Sequence, residues 1–190
     1  QAAADAIHSG ANQYPPGRGI PALREAIAAH QARHYGITVD PDSEVLVTAG
    51  ATEAIAAAML ALCGPGDEVV TLEPFYDAHA AAIAMAGATH VTVPLVPGAG
   101  GFRLDAAALE MAVTVNTRVI LVNTPHNPTG TVLSRGELEA IAAAAARVDA
   151  IVVTDEVYEH LTFDGLVHTP LASLPGMAER TLTISSAGKT

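Results

Sequence analysis

At 190 residues the chain is long enough for one domain with a substantial buried core, or for one large piece of a bigger enzyme. Half of the residues are hydrophobic, 15% are charged and the mean hydropathy is +0.33, an apolar balance that leaves surface to be covered by further chain or by a partner subunit. A formal net charge of -11 repels polyanions, so neither a nucleic-acid nor a membrane partner is expected.

The predicted elements alternate along the chain. After a short opening segment, PALREAIAAHQARHYG reads as a helix, with Pro21 in the first turn, Leu23, Ala26 and Ile27 on one face, and Gly36 as the stop. VLVTAG, Val45 to Gly50, reads as a short strand running into the alanine-rich helix ATEAIAAAMLALC. GPGDEVVTL gives a turn and a second strand, YDAHAAAIAMAG a helix closed by Gly87, and THVTVPLV a third strand. LDAAALEMAV is helical, RVILVNT a strand, SRGELEAIAAAAARV a helix, AIVVTDEV a strand and TLTISS the last strand. Ser134 and Glu137 form a capping box ahead of the second of those helices. Apolar strands separated by helices of this length predict βαβ units, hence an open α/β sandwich with a mostly parallel sheet covered on both faces, in one domain.

Cys63 is the only cysteine, which excludes an internal disulfide and fits a reducing compartment; its neighbours MLALC make it a buried structural thiol. No basic segment followed by an apolar stretch opens the chain, and no apolar run approaches bilayer-spanning length, so a cytoplasmic location is expected.

In open α/β sheets ligands bind beyond the carboxyl ends of the strands. Four predicted strands deliver polar groups there: Gly50-Ala51-Thr52, Asn123 and Asn127, Asp155 and Tyr158, Ser186 and Lys189. A glycine followed by a helix start at Ala51 or Thr52 turns unpaired N–H groups toward an anion, although the same pattern is ordinary turn chemistry. NTPHNPTG, with two prolines and a glycine, is a rigid loop that holds Asn127 and leaves His126 as a loop or surface histidine. In DEVYEHL, Asp155 is a carboxylate at the base of the crevice and needs a cation or donor to meet it. Glu156 and Glu159 are assigned to a solvated helix face, and no metal site is expected because the H-E-x-x-H spacing is missing.

The chain ends in SSAGKT, which has the tail of a nucleotide phosphate loop. That loop requires a glycine where Thr183 stands, inside a strand pattern, so the first half of the loop is missing. Lys189 is the one lysine; the other eight basic residues counted with it are arginines. A lysine amine, unlike a guanidinium, can lose its proton in a desolvated site and attack a carbonyl to form a Schiff base.

GATEA, EPFYD, NTPHNPTG, TDEVYEHL and SSAGKT, in this order and spacing, resemble the large domain of fold-type I pyridoxal-phosphate enzymes, specifically class I/II aminotransferases. The resemblance runs from NQYPPGRGIPALR onward and is greatest toward enzymes acting like kynurenine, methionine or succinyl-diaminopimelate aminotransferases. It implies a three-layer sandwich, with residues 1–190 as an incomplete cofactor-binding large domain that ends just after the Schiff-base lysine, the small C-terminal domain being absent. It further implies pyridoxal 5'-phosphate as cofactor, bonded by Lys189, which also carries the substrate proton. Asp155 would pair with the ring nitrogen, Asn127 and Tyr158 with the ring hydroxylate, and Tyr76 with the ring face. Ala51, Thr52 and Ser186 would hold the phosphate, joined by Tyr14 from the neighbouring subunit of a homodimer. The implied reaction moves an amino group from an amino acid to a 2-oxo acid. A carbon-sulfur β-lyase and a non-catalytic cofactor-sensing domain of a regulator share these contacts and remain open alternatives.

Overall fold

The computed structural model describes residues 1–98 and 100–189; Ala99, and Thr190 at the end of SSAGKT, lie outside the described residues. The chain divides into two compact units, Gln1–Thr48 and Ala49–Thr190.

The first unit holds helix α1 (Ala2–His8), which the sequence reading left as an opening segment, and helix α2 (Pro21–Tyr35). Pro21 sits in the first turn of α2, where its missing N–H costs nothing. Gly36 ends the helix in the left-handed conformation (φ 68°), donating its N–H to Ala32 O. The expected apolar face is corrected: Leu23 is exposed, and the buried residue of α2 is Arg24, 8% exposed. Its guanidinium is tolerated there because Nε donates to Gly19 O (3.2 Å) and Nη1 to Asp42 Oδ1 (2.7 Å) and Pro41 O.

The strand expected over Val45–Gly50 does not form. The backbone of residues 45–48 is irregular, and Val47 N–H donates to Arg18 O, a loop carbonyl, rather than into a ladder. Apolar composition alone cannot make a strand when no neighbouring strand lies in register.

The second unit is built on strands β1 (Glu68–Glu73), β2 (Thr89–Pro94), β5 (Thr117–Asn123), β6 (Ile151–Asp155) and β7 (Thr181–Ile184). They form one parallel sheet in the order β2-β1-β5-β6-β7. Helices α3 (Ala51–Leu62), α4 (Asp77–Met85), α5 (Ala106–Ala112) and α6 (Arg135–Val148) supply the outer layers. Period-two alternation decides which layer each strand residue meets. Val69, Val119, Leu121, Val153 and Ile184 pack with Ile55 and Met59 of α3 and Ile83 of α4. Val70, Ile120, Val122 and Val152 pack with Leu109 of α5 and Leu138 and Ile141 of α6. The result is the expected three-layer α/β sandwich with a parallel central sheet.

α6 begins with the expected capping box: Glu137 N–H donates to Ser134 Oγ, and Ser134 N–H donates back to the Glu137 carboxylate. An unexpected antiparallel hairpin, β3 (Val96–Gly98) with β4 (Gly101–Arg103), follows β2. Among the described residues no helix is long and apolar enough to cross a membrane.

Candidate active site

Register places the site. Asn123 on β5 pairs with Asp155 on β6, and Asp155 pairs with Ile184 on β7, so three strands end level at one edge of the sheet. β1 leads through α4 to β2 on one side, whereas β5 lies on the other, so the strand order reverses beside β1 and leaves a crevice at its carboxyl end.

Asp155 is 5% exposed. Its Oδ2 lies 3.3 Å from His79 Nε2, and its Oδ1 accepts from Val157 N–H at 3.4 Å. Its backbone oxygen accepts from Asn123 Nδ2 (2.8 Å) and from Thr124 N–H (3.1 Å). Asn123 Oδ1 in turn accepts the Asn127 backbone N–H at 2.6 Å, so the Asn123 side chain ties the backbones of Asp155 and Asn127 together. His79, on α4, was not anticipated; its only sequence signal is its place three residues after Tyr76, on the inward face of the helix. The two rings meet edge to face with centroids 5.7 Å apart. Tyr76 caps α4 and keeps part of its ring exposed.

Lys189 is exposed on the turn after β7, and its Nζ lies 5.4 Å from the centroid of the Tyr158 ring. The described residues therefore do not enclose the amine as the sequence reading anticipated. Ser186 Oγ accepts the Gly188 N–H at 3.1 Å, tightening that turn. Gly50 precedes α3 with φ 89° and ψ 167° and gives the helix no side-chain cap, which leaves the first-turn N–H groups, Ala51 and Thr52 among them, without a local side-chain acceptor from the cap. α3 packs against β6 and β7. Tyr14 belongs to the first unit and is exposed.

Several expectations for neighbouring residues are corrected. Glu156 and Glu159 are buried, not solvated, and lie on a turn rather than a helix face. Glu156 Oε2 accepts from His168 Nε2 at 2.8 Å and Glu156 Oε1 from Leu171 N–H at 3.4 Å, while Ser185 Oγ donates to Glu159 Oε1. His126 is buried at 4% exposure; its Nδ1 lies 2.7 Å from Thr129 Oγ1, and its ring also bonds the Pro74 backbone. Burial, partly opposed by the Pro74 bond and assisted by His79, holds the His126 pKa below the usual imidazole range. His90, 2.7 Å from Thr71 Oγ1, is also held low, chiefly by burial and then by His79. Phe75 is half-buried, edge-on to His90 with centroids 4.8 Å apart. Cys63 is half-buried too, and desolvation pushes its thiol up to about 11.

The family model described as "Aminotransferase class I and II" matches residues 1–190. Over 189 residues the chain is 62% identical to the probable N-succinyldiaminopimelate aminotransferase DapC of Mycobacterium tuberculosis, covering 100% of this chain and 48% of that protein. It is 43% identical over 184 residues to the methionine aminotransferase of Escherichia coli, covering 97% of this chain and 47% of that one. The solved N-succinyldiaminopimelate aminotransferase from Mycobacterium tuberculosis superposes with a TM-score of 0.97 at 62% identity, covering 100% of this chain and 49% of that structure. The chain thus spans about half the length of the curated relatives it matches.

Proposed function

The chain belongs to the class I and II aminotransferase family, and we propose that it binds pyridoxal 5'-phosphate through Lys189 and takes part in moving an amino group from an amino acid to a 2-oxo acid. The observation that carries this reading is the Lys189 amine beside the Tyr158 ring, on the strand end next to the one that presents buried Asp155.

The donor set fits that cofactor. Buried Asp155 has one carboxylate oxygen on His79 and retains acceptor capacity for a ring N–H. Asn127 and Tyr158 offer an amide and a phenol for the ring hydroxylate, and Tyr76 offers a partly exposed aromatic face. The uncapped start of α3 at Ala51 and Thr52, with Ser186, offers donors for a phosphate. When bound, pyridoxal phosphate supplies an aldehyde for amine exchange and an electron-withdrawing ring.

The residues of this chain divide the remaining work. Asp155 keeps the ring nitrogen protonated, and His79 holds the carboxylate in place for it. Lys189 Nζ takes the proton from the substrate α-carbon and later returns one. Tyr76 screens one face of the site from water. Residues 1–190 act as the cofactor-binding portion, and Tyr14 reaches the phosphate of the other protomer in a homodimer. A cytoplasmic location accords with the single cysteine. N-succinyldiaminopimelate, named for the 62% identical relative, is the first amino donor to assay.

The test adds pyridoxal phosphate to the complete enzyme and to Lys189→Ala, with and without borohydride. Covalent retention of cofactor in the unmodified protein alone supports the reading; equal retention in both sinks the lysine assignment. Release of pyruvate and ammonia without a 2-oxo acid acceptor would replace transfer by β-elimination.

A further inference from the structure

We propose that the buried Glu156–His168 pair positions the cofactor-facing side chains of the site, setting Asp155 and Tyr158 by tying the turn between them to the returning chain. This rests on the cofactor reading above. Asp155 and Glu156 are consecutive at the end of β6 and serve opposite sides: Asp155 bonds His79 on α4, whereas Glu156, 1% exposed, bonds His168 and the Leu171 N–H. Leu171 and the neighbouring Leu174 and Met177 pack into the core shared with α5 and α6, so the tether ends on a firmly packed segment.

The backbone explains why a tether is needed at this point. Through Glu156 the chain is held by the sheet, since Glu156 N–H donates to Ile184 O at 2.8 Å. Beyond it the ladder stops and the chain turns, with Glu159 N–H donating to Glu156 O and Leu161 N–H to Tyr158 O. Tyr158 lies on that turn, two residues past the last ladder bond, yet its ring must stay beside Lys189. The Glu156 carboxylate anchors the start of the turn to the returning chain, beside the Asp155 Oδ1–Val157 N–H and Ser185 Oγ–Glu159 bonds that hold the turn itself, and both of its oxygens are used. A carboxylate with 2% of its side chain exposed is costly unless bonded, so the two-point attachment fixes one rotamer and with it the direction in which the turn leaves the sheet. Neither residue touches the reacting atoms; they act through Asp155 and Tyr158.

The test compares His168→Leu, His168→Gln, which keeps an N–H donor, and Glu156→Gln, in the complete enzyme. Three quantities are read: the affinity for pyridoxal phosphate, the position and circular dichroism of the visible band of the bound cofactor, and the urea midpoint without cofactor. A displaced turn predicts that His168→Leu weakens cofactor affinity by about 10-fold or more and moves the visible band. His168→Gln should largely restore both. If His168→Leu lowers the urea midpoint while the folded protein keeps the original affinity and band, the pair is merely structural and the proposal falls. Should His168→Leu not fold, Glu156→Gln decides: an unchanged band and affinity overturn the proposal, and a shifted band with weakened affinity supports it. A parent protein that gives no visible band with the cofactor sinks the cofactor reading itself, a failure distinct from an intact band that ignores His168.

Discussion

Asp155 Oδ2 and His79 Nε2 lie 3.3 Å apart with both side chains buried, so the carboxylate at the end of β6 is fixed by a helix that precedes it by about seventy residues. The relationship predicts an energetic coupling. Removing the hydrogen-bonding partner of a buried carboxylate leaves it unsatisfied and costs about 3 kcal/mol. His79→Leu should therefore destabilise the apoprotein by roughly that amount, and adding Asp155→Asn should recover part of the loss. A double-mutant cycle from urea unfolding measures the coupling; strictly additive effects would show that the contact contributes nothing.

His126 predicts a pH dependence. Burial, with the His79 charge, depresses its folded-state pKa below that of the unfolded chain despite the bond to Pro74. The sign follows: below the unfolded value of about 6.5 the unfolded chain binds the extra proton, so stability is full above that pH and is lost as pH falls toward the folded value. His90 is depressed as well and acts in the same direction. The expected urea midpoint is higher at pH 7.5 than at 5.5, two readings of about the ordinary imidazole window, and His126→Gln should narrow the difference. Asp40, held low by the Ser43 hydroxyl, titrates below the ordinary carboxylate range and leaves this window untouched. An identical pH dependence in the variant would remove His126 as a contributor.

What the sequence disclosed follows from range. The placement of Asp155, Asn127, Tyr158 and Lys189 toward one edge of the sheet was legible because each lies at or just past the end of a recognisable strand, and parallel strands carry such residues to one edge. Ser134 with Glu137 was legible because a capping box lies within four residues. The His79–Asp155 contact joins residues far apart in the chain, and His168 reaches Glu156 from a segment with neither helix nor strand periodicity. A local reading therefore sent Glu156 and Glu159 to solvent. Val45 to Gly50 failed in the opposite way: its local pattern suits a strand, but a ladder requires a neighbour that local pattern does not supply. The β3–β4 hairpin has a signal in the glycine-rich PGAGG between two short runs, but the third predicted strand, THVTVPLV, takes in only its first residue, Val96, and PGAGG has no assignment.

Cys63 provides a chemical check on the packing at the end of α3. Its thiol is raised to about 11, first by desolvation and then by the Asp67 charge, with Arg118 opposing. The thiolate is the nucleophile, so alkylation of the folded protein at pH 8 should be slow by about two orders of magnitude relative to the urea-unfolded chain, whose cysteine has an ordinary pKa near 8.5. Mass spectrometry after a timed iodoacetamide pulse measures both rates. Equal rates would show that the thiol is open to water and that the α3 terminus is less well packed than its neighbours Met59 and Ile55 imply.

Gly50 links the backbone to phosphate binding most directly. Its φ of 89° with ψ of 167° is a conformation that residues with a Cβ rarely adopt, although nothing within 4 Å would touch an added methyl. The cost of Gly50→Ala is therefore conformational rather than steric, about 1–3 kcal/mol if the native backbone is retained. The alternative is for the backbone to relax, which turns the first N–H groups of α3 away from their present direction. These outcomes separate experimentally. A retained backbone gives a lower urea midpoint with unchanged pyridoxal phosphate affinity, whereas relaxation preserves the midpoint and weakens the cofactor through its phosphate. Comparing binding of pyridoxal phosphate with that of pyridoxal identifies which penalty is taken, because only the phosphorylated form depends on α3. Since residues 49–51 are exposed or half-buried and no side chain crowds Gly50, relaxation is the cheaper course, and the expected result is a selective loss of affinity for the phosphorylated form. Equal weakening for both forms would show that the start of α3 does not hold the phosphate.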